Sequence, residues 1–306
     1  MPTEVIHVIG AGETYTTLTA WEAAQQRDLV SADEIAIAEL KSEDFVEDLQ
    51  VNGWTTDATR YVVIRAKSGS EYNSATDVGP KLYKNANFGM DIYESYTRLE
   101  HIRVGSVSYN YPFFVRGNNT IDFRQCTILS SGQISNSNNS GLYFRSCLIK
   151  IPSFNNNPIR FINTENCTII TSNTYGQVLR DGTAYNTLIY NASATTTYDN
   201  FFSVDAGDYN AQSVSNQSAP LGANSIDDVP SSDFNDYAGG DYTLSGVSAD
   251  VYHAGSSTYA PAFDNNGVSF DSSTPSIGAF EFVSAGGTIL FSRSRTGFRA
   301  GSRQST

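Results

Sequence analysis

A chain of 306 residues, 40% hydrophobic and 12% aromatic, is too apolar for disorder and long enough for one large domain or two ordinary ones. Its formal net charge of −13 argues against nucleic acid as a partner. No apolar run approaches the ~20 residues of a membrane span, and three cysteines supply no disulfide framework. Charged residues are only 17%. Asn, Ser, Thr, Gly and Tyr fill out the remainder, a palette of short strands and tight bends.

In chain order, the first predicted element is a short helix within residues 14–30. Thr19-Ala-Trp-Glu22 reads as a capping box, and Leu18, Trp21, Ala24 and Leu29 share a helical face. Tyr61-Val-Val-Ile-Arg-Ala66 reads as a strand. An internal repeat follows, in Ile121-Asp-Phe-Arg-Gln-Cys-Thr-Ile128, Leu142-Tyr-Phe-Arg-Ser-Cys-Leu-Ile149, Ile162-Asn-Thr-Glu-Asn-Cys-Thr-Ile169 and a weaker Tyr185-Asn-Thr-Leu188. Leu99, Ile102 and Val104 fit the same template one coil earlier. The repeat aligns Ile121, Leu142 and Ile162; Phe123, Phe144 and Thr164; Cys126, Cys147 and Cys167; and Ile128, Ile149, Ile169 and Leu188.

Within each coil the apolar spacing is two, then three, then two. Alternation at two keeps side chains on one face of a strand. The step of three, across Gln125, Ser146 and Asn166, marks a one-residue bend, and Asn tolerates the left-handed conformation that such a bend can need. A period near 20 residues with several strands per coil predicts an all-β fold. It is a right-handed parallel β-helix, or solenoid, with an N-terminal capping helix and a short C-terminal tail. The expected division is a cap with first strands over 1–58, regular coils over 59–195, irregular coils closing the C-terminal end over 196–285, and a basic tail over 286–306. A Gly286-Gly287 hinge precedes that tail, which carries Arg293, Arg295, Arg299 and Arg303 and no acid.

Two stretches carry a family resemblance. Tyr15-Thr-Thr-Leu-Thr-Ala-Trp-Glu22 and Gly53-Trp-Thr-Thr-Asp-Ala-Thr-Arg60 resemble the opening of pectate-lyase-like β-helix proteins of environmental bacteria and their phages. Gly240-Asp-Tyr-Thr-Leu244, Ala254-Gly255 and Pro275-Ser-Ile-Gly-Ala-Phe-Glu281 resemble their closing coil, except that Ser276 stands where an Asp often precedes Ile-Gly-Ala. The resemblance spans roughly residues 5–282 and implies architecture more than chemistry. Met1–Gly10 lacks a basic stretch followed by an apolar core, so no signal peptide is expected. Together these imply a phage virion structural protein, assembled in the host cytoplasm, that decorates the capsid or tail. Bacterial surface or secreted placement is the alternative. A homo-oligomer is expected, with trimers the analogy from phage spikes.

The residues also nominate sites. The cysteines are expected to form a buried ladder rather than a metal centre. Asp91, Asp122, Arg124, Arg145 and Glu165 are expected to face outward, with Arg124, Arg145 and Glu165 on one stripe. Tyr109, Tyr111, Phe113 and Tyr143 stand near it, so Tyr109, Tyr111 and Tyr143 are candidate glycan-binding residues. If the chain is an enzyme, a polysaccharide lyase or glycoside hydrolase is expected, but no catalytic set emerges and the balance leans against catalysis. No cofactor is expected, apart from the option of Ca²⁺ near Asp227–Asp241 through oxygen ligands. Ile289, Leu290, Phe291, Arg293, Arg295, Phe298, Arg299 and Arg303 are the candidate docking residues, apolar side chains beside arginines suited to carboxylates. The expected partners are other virion proteins and further copies of the chain. A tailspike-type enzyme or an adhesin that binds host polysaccharide is the alternative function.

Overall fold

A computed structural model of the protein describes residues 1–84, 88–106, 111–116, 119–130, 134–135, 141–151, 159–172, 178–191, 202–213 and 222–282. The chain is a parallel β-solenoid. The long sheet starts at β1 (Thr3–Ile9) and β2 (Glu34–Leu40), then adds Val62–Ala66, Thr97–Glu100, Ile121–Arg124, Leu142–Arg145, Ile159–Glu165, Leu179–Tyr185 and Phe202–Ser203. A second sheet stacks eight strands from Asp44–Val46 to Ala211–Gln212, and a third holds Gln50–Val51, Phe88–Ile92 and Tyr111–Val115. Among the named strands only Phe234–Asp236 and Asp241–Leu244 pair antiparallel.

The repeat sets the register. Leu99, Phe123, Phe144 and Thr164 stack in one inward column, and Val104, Ile128, Ile149 and Ile169 in another. Phe123 and Phe144 lie with ring centroids 4.8 Å apart and planes 4° from parallel, a spacing set by that of the strands. Cys126, Cys147 and Cys167 are fully buried and unpaired by disulfides. Their thiols donate down the stack to the carbonyls of Leu99, Phe123 and Phe144 at 3.3–3.4 Å. Burial pushes the Cys126 and Cys147 thiols well above their ordinary range.

From the coil of Thr97–Glu100 onward, each described coil turns between the long and second sheets on one left-handed residue. His101, Gln125, Ser146, Asn166, Asn186 and Tyr209 have φ between 49° and 55°. The fourth repeat departs from the expected alignment by one residue. Leu188 pairs with Thr168, and Ile189 continues the Ile169 column. The spacing between coils is 20 residues, so Thr187 takes the cysteine place. Its hydroxyl lies 3.1 Å from Tyr185 O, as Cys147 Sγ lies 3.4 Å from Arg145 O. A slip of one residue turns a strand over, and Leu188 accordingly faces outward.

The N-terminal helix α1 (Leu18–Gln25) covers the open interior with Leu18 and Trp21 fully buried. Its capping differs from the sequence expectation. Thr17 is the N-cap and accepts from Ala20 N at 3.1 Å. The Glu47 carboxylate, from the next coil, accepts from Leu18 N at 2.9 Å and Thr19 N at 2.7 Å, where the helix dipole favours an anion. Glu22 instead reaches inward to Trp54 Nε1 at 3.1 Å and Asn52 N at 2.9 Å. Ala24 is exposed, and Leu29 starts a separate turn, α2 (Leu29–Ala32).

The C-terminal region departs in part from the expectation. Ile226 bridges Ala211, and Val229 N donates to Gln212 O at 3.0 Å, so this stretch stacks on the last coil. The chain then runs back over the flank. The outward columns of the second sheet are apolar at Leu148, Ile170 and Leu188, and they form a second core with Val229, Phe234, Leu244, Val251, Ile277 and Phe280. Parallel strands covered on both faces read as continuous apolar runs, and Leu148-Ile149 and Leu188-Ile189 are such runs. The returning segment is also clipped to the left-handed corners. Gln125 Nε2 donates to Asp264 O at 2.7 Å, Ser146 Oγ to Phe263 O at 2.6 Å and Asn166 Nδ2 to Ser276 O at 2.9 Å. Asn186 receives Ser256 N at 2.8 Å on its Oδ1. Gly278, at φ 105°, lies so close that a Cβ would sit 2.7 Å from Thr168 Oγ1.

Phe144→Ala empties the middle of the stacked column and should cost about 3–5 kcal/mol. Equilibrium denaturant unfolding measures it, and a loss below ~1 kcal/mol would contradict the packing described.

Candidate ligand-binding face

Outward residues of the long sheet form two columns. One carries Val63, Arg98, Asp122, Tyr143, Asn163 and Thr183; the other carries Glu39, Arg65, Glu100, Arg124, Arg145, Glu165 and Tyr185. The expected stripe of Arg124, Arg145 and Glu165 is therefore present, within a longer ladder of nearly alternating charge. Arg65 Nη2 meets Glu39 Oε1 at 2.8 Å, Arg124 Nη2 meets Asp122 Oδ2 at 2.7 Å, and Arg145 Nε meets Glu165 Oε2 at 2.9 Å. Arg145 also bonds Asp122, and Arg98 Nε stands 3.8 Å from it.

Asp122 does leave the sheet on its outer face, but it is 0% exposed. The sequence placed it on an open surface. The structure roofs it with three arginine side chains, whose long stems cover apolar area while their heads carry the charge. Burial pushes the Asp122 carboxyl up, but the Arg124, Arg145 and Arg98 guanidiniums outweigh it and hold the group below the usual carboxylate range. Arg98 is 2% exposed and lies over the Tyr61 ring at 4.6 Å. Asp91 is likewise mostly covered, and it belongs to the third sheet with Arg116 Nε at 3.2 Å.

The face opens toward the last coils. Tyr143 is half-buried with the Arg145 guanidinium 4.9 Å above its ring. Thr183 Oγ1 donates to Asn163 Oδ1 at 2.8 Å, and Tyr185 stacks on Tyr259 at 3.8 Å. Asp181 lies 3.6 Å from Arg160 Nη2 and 3.4 Å from Arg180 Nε. Tyr259 comes from the returning segment, 74 positions beyond Tyr185, and no local pattern links the two. Of the nominated glycan-binding residues, Tyr143 is on this face. Tyr111 belongs to a strand of the third sheet, and Tyr109 lies outside the described residues, as do Ile289, Leu290, Phe291, Arg293, Arg295, Phe298, Arg299 and Arg303.

The acids of the Asp227–Asp241 stretch are spread over separate turns. Asp227 accepts from Gln212 Nε2 at 2.6 Å, Asp233 from Asp250 N at 2.7 Å, Asp236 from Gly239 N at 2.9 Å and Asp241 from Thr243 N at 3.0 Å. Among the described residues no group of three or more metal-ligating side chains gathers there. Two buried acids, Asp264 and Glu281, lie in the returning segment. Asp264 accepts from the N–H groups of Asn266, Val268 and Glu281 at 2.7–2.9 Å. Glu281 accepts from Ser276 N and Oγ. Burial, aided by the Glu281 charge, outweighs the three N–H donors and raises Asp264 to about 7.

No family model matches the chain, and no curated protein does. Two solved structures of a pectin methylesterase from Aspergillus niger, one deglycosylated and one penultimately deglycosylated, are similar to it with TM-scores of 0.45 and 13% identity. The matches cover 81% and 80% of this chain and 93% and 91% of those chains. At that identity and score the likeness says nothing of this chain's chemistry.

Two outcomes follow from the buried acids. Asp122→Asn leaves three guanidiniums short of a counter-charge and should cost about 3–5 kcal/mol at neutral pH. Because the folded carboxyl titrates below its ordinary value, its stabilisation is present at neutral pH and fades as pH falls through the folded value. The Asn variant should therefore lose less on acidification, as read by unfolding at pH 7 and pH 3. Asp264 has the opposite sign. Its folded value of about 7 lies above the ordinary 3.8, so its contribution is full below about 4 and is lost as pH rises through about 7. Hydrogen exchange over residues 264–281, corrected for intrinsic rates, should be faster at pH 8 than at pH 5. Asp264→Asn should flatten that difference.

Proposed function

We propose that this chain is a virion structural protein, a rigid β-helix on the capsid or tail that is held to its neighbours through its C-terminal residues. The observation that carries the reading is the use made of the outward carboxylates. Asp122 sits among three guanidiniums, and Glu39 and Glu165 are each paired with one. A carboxylate bound this way acts as a strut. Glycoside hydrolysis asks instead for two carboxyl groups at ~5 Å or ~6.5–9.5 Å, one of them holding a proton. The phage setting is supported by the resemblance of the opening and closing stretches, and the docking by the four arginines of residues 287–306 set among Ile289, Leu290, Phe291 and Phe298.

The open end of the long sheet favours a second reading, binding of a host glycan. Tyr143 and the stacked Tyr185 and Tyr259 flank hydrogen-bonding Asn163 and Thr183 on one face. Aromatic faces beside polar groups suit sugar rings.

The two readings separate in solution. Deleting residues 288–306 should leave thermal unfolding nearly unchanged and abolish assembly, followed by sedimentation. A panel of bacterial surface polysaccharides should yield neither new reducing ends nor unsaturated uronates. Release of either that is lost in Glu165→Gln would move the reading to an enzyme. If a glycan binds, Tyr259→Ala should weaken it about two- to tenfold, the worth of one aromatic contact.

A further inference from the structure

The strand β1 (Thr3–Ile9) ends the long sheet, and among the described residues it pairs in a ladder with β2 alone. Helix α1 covers the interior of the first coil, where Trp21 Nε1 donates to His7 Nδ1 at 3.3 Å. Tyr15 bridges the outer edge at Ile9, its O accepting from Gly10 N at 3.0 Å, and among the described residues no named strand covers the edge before it. Thr3 N donates to Asp33 O, and Ile9 O accepts from Lys41 N. In a parallel ladder alternate residues face one neighbour, so Ile6 directs its backbone groups to the outer edge ahead of the Ile9–Tyr15 bridge. Natural edges are usually blunted with lysine, proline or a bulge. Thr3–Ile9 contains neither lysine nor proline, and Ile6 is 44% exposed.

Charge and chain length select the occupant. The first 50 residues hold eleven acids against two basic residues, whereas residues 287–306 hold four arginines and no acid. Thr288-Ile-Leu-Phe-Ser-Arg293 is a short apolar segment of strand length beside those arginines. Its own β1 is out of reach. The last described residues lie at the coil of Gln125 or beyond it, because Glu281 N bonds the Asp264 carboxylate and Asp264 O accepts from Gln125 Nε2. Four strand steps separate that coil from β1. With one more for an added strand, the distance is about 24 Å along the axis at ~4.8 Å per step. The six steps from residue 282 to residue 288, fully extended, span roughly 20–22 Å.

We propose that residues Thr288–Arg293 of one copy add as a further strand to β1 of a second copy. The arginines that follow lie over its acidic first coils. This rests on the docking-arm reading above and names the partner as the chain itself. Because edge and arm lie on different surfaces, the contact is heterologous and propagates unless two copies exchange arms reciprocally.

Sedimentation velocity over a range of concentrations tests this on the full chain, on the chain lacking residues 288–306 and on Ile6→Pro. The last removes an N–H directed away from β2 and spares the ladder. Self-association of the full chain, lost in both variants with the melting temperature unchanged, is the expected result. Association lost in the deletion but kept in Ile6→Pro overturns the edge as acceptor and leaves the docking arm standing. A full chain that stays monomeric, or a deletion that associates as before, overturns both. Should Ile6→Pro fail to fold, cross-linking decides. Residues 290 and 291 would point to opposite faces of a strand, so one of them shares the face of Ile6. Ile6→Cys mixed with Leu290→Cys or with Phe291→Cys should give a reducible dimer in one mixture under oxidation, the native thiols being buried. No dimer in either mixture overturns the proposal.

Discussion

A single left-handed corner residue, repeated coil after coil at His101, Gln125, Ser146, Asn166, Asn186 and Tyr209, sets the rest of the regular stack. Each corner costs backbone energy for a residue with a Cβ, and the stack repays it in two ways. The turn keeps both flanking strands facing inward, so one column of side chains continues into the next sheet. It also aims the corner side chain outward, where Gln125, Ser146, Asn166 and Asn186 meet the returning C-terminal segment. Register inside and docking outside therefore come from the same dihedral.

The chain legible in sequence is the part governed by local repetition. Phe123 above Leu99 and below Phe144, the three cysteines, and the bends at Gln125, Ser146 and Asn166 all follow from spacing of two, three and two. Leu188 shows where that reasoning stops. With no cysteine in the fourth coil, a Leu one residue early passes for the inward position. The pattern alone does not reveal that Leu188 is apolar because something covers it from outside. The same blindness to long-range cover explains Asp122, read as a surface acid, and Glu22, read as a cap. Glu47 caps α1 from 29 residues away, and Tyr259 reaches Tyr185 from 74 positions beyond. Neither pairing leaves a local trace.

The outer face of the long sheet shows how a strand stack can carry many charges without presenting a reactive site. Like charges directly opposite on neighbouring strands are unfavourable, and the ladder meets Arg124 beside Arg145 with Asp122 held between them. Buried pairs of this kind add little net stability over apolar packing, while loss of one member is costly.

A solenoid touches only its neighbours, so its coils can fray one after another from an end. The returning segment changes that mechanics here. It is fastened at Gln125, Ser146, Asn166 and Asn186 and works as a splint along the rod. The coils beneath it cannot peel singly without tearing the splint, so that stretch yields as a unit, and a pull on the rod is borne first by the unsplinted turns nearer the N-terminus.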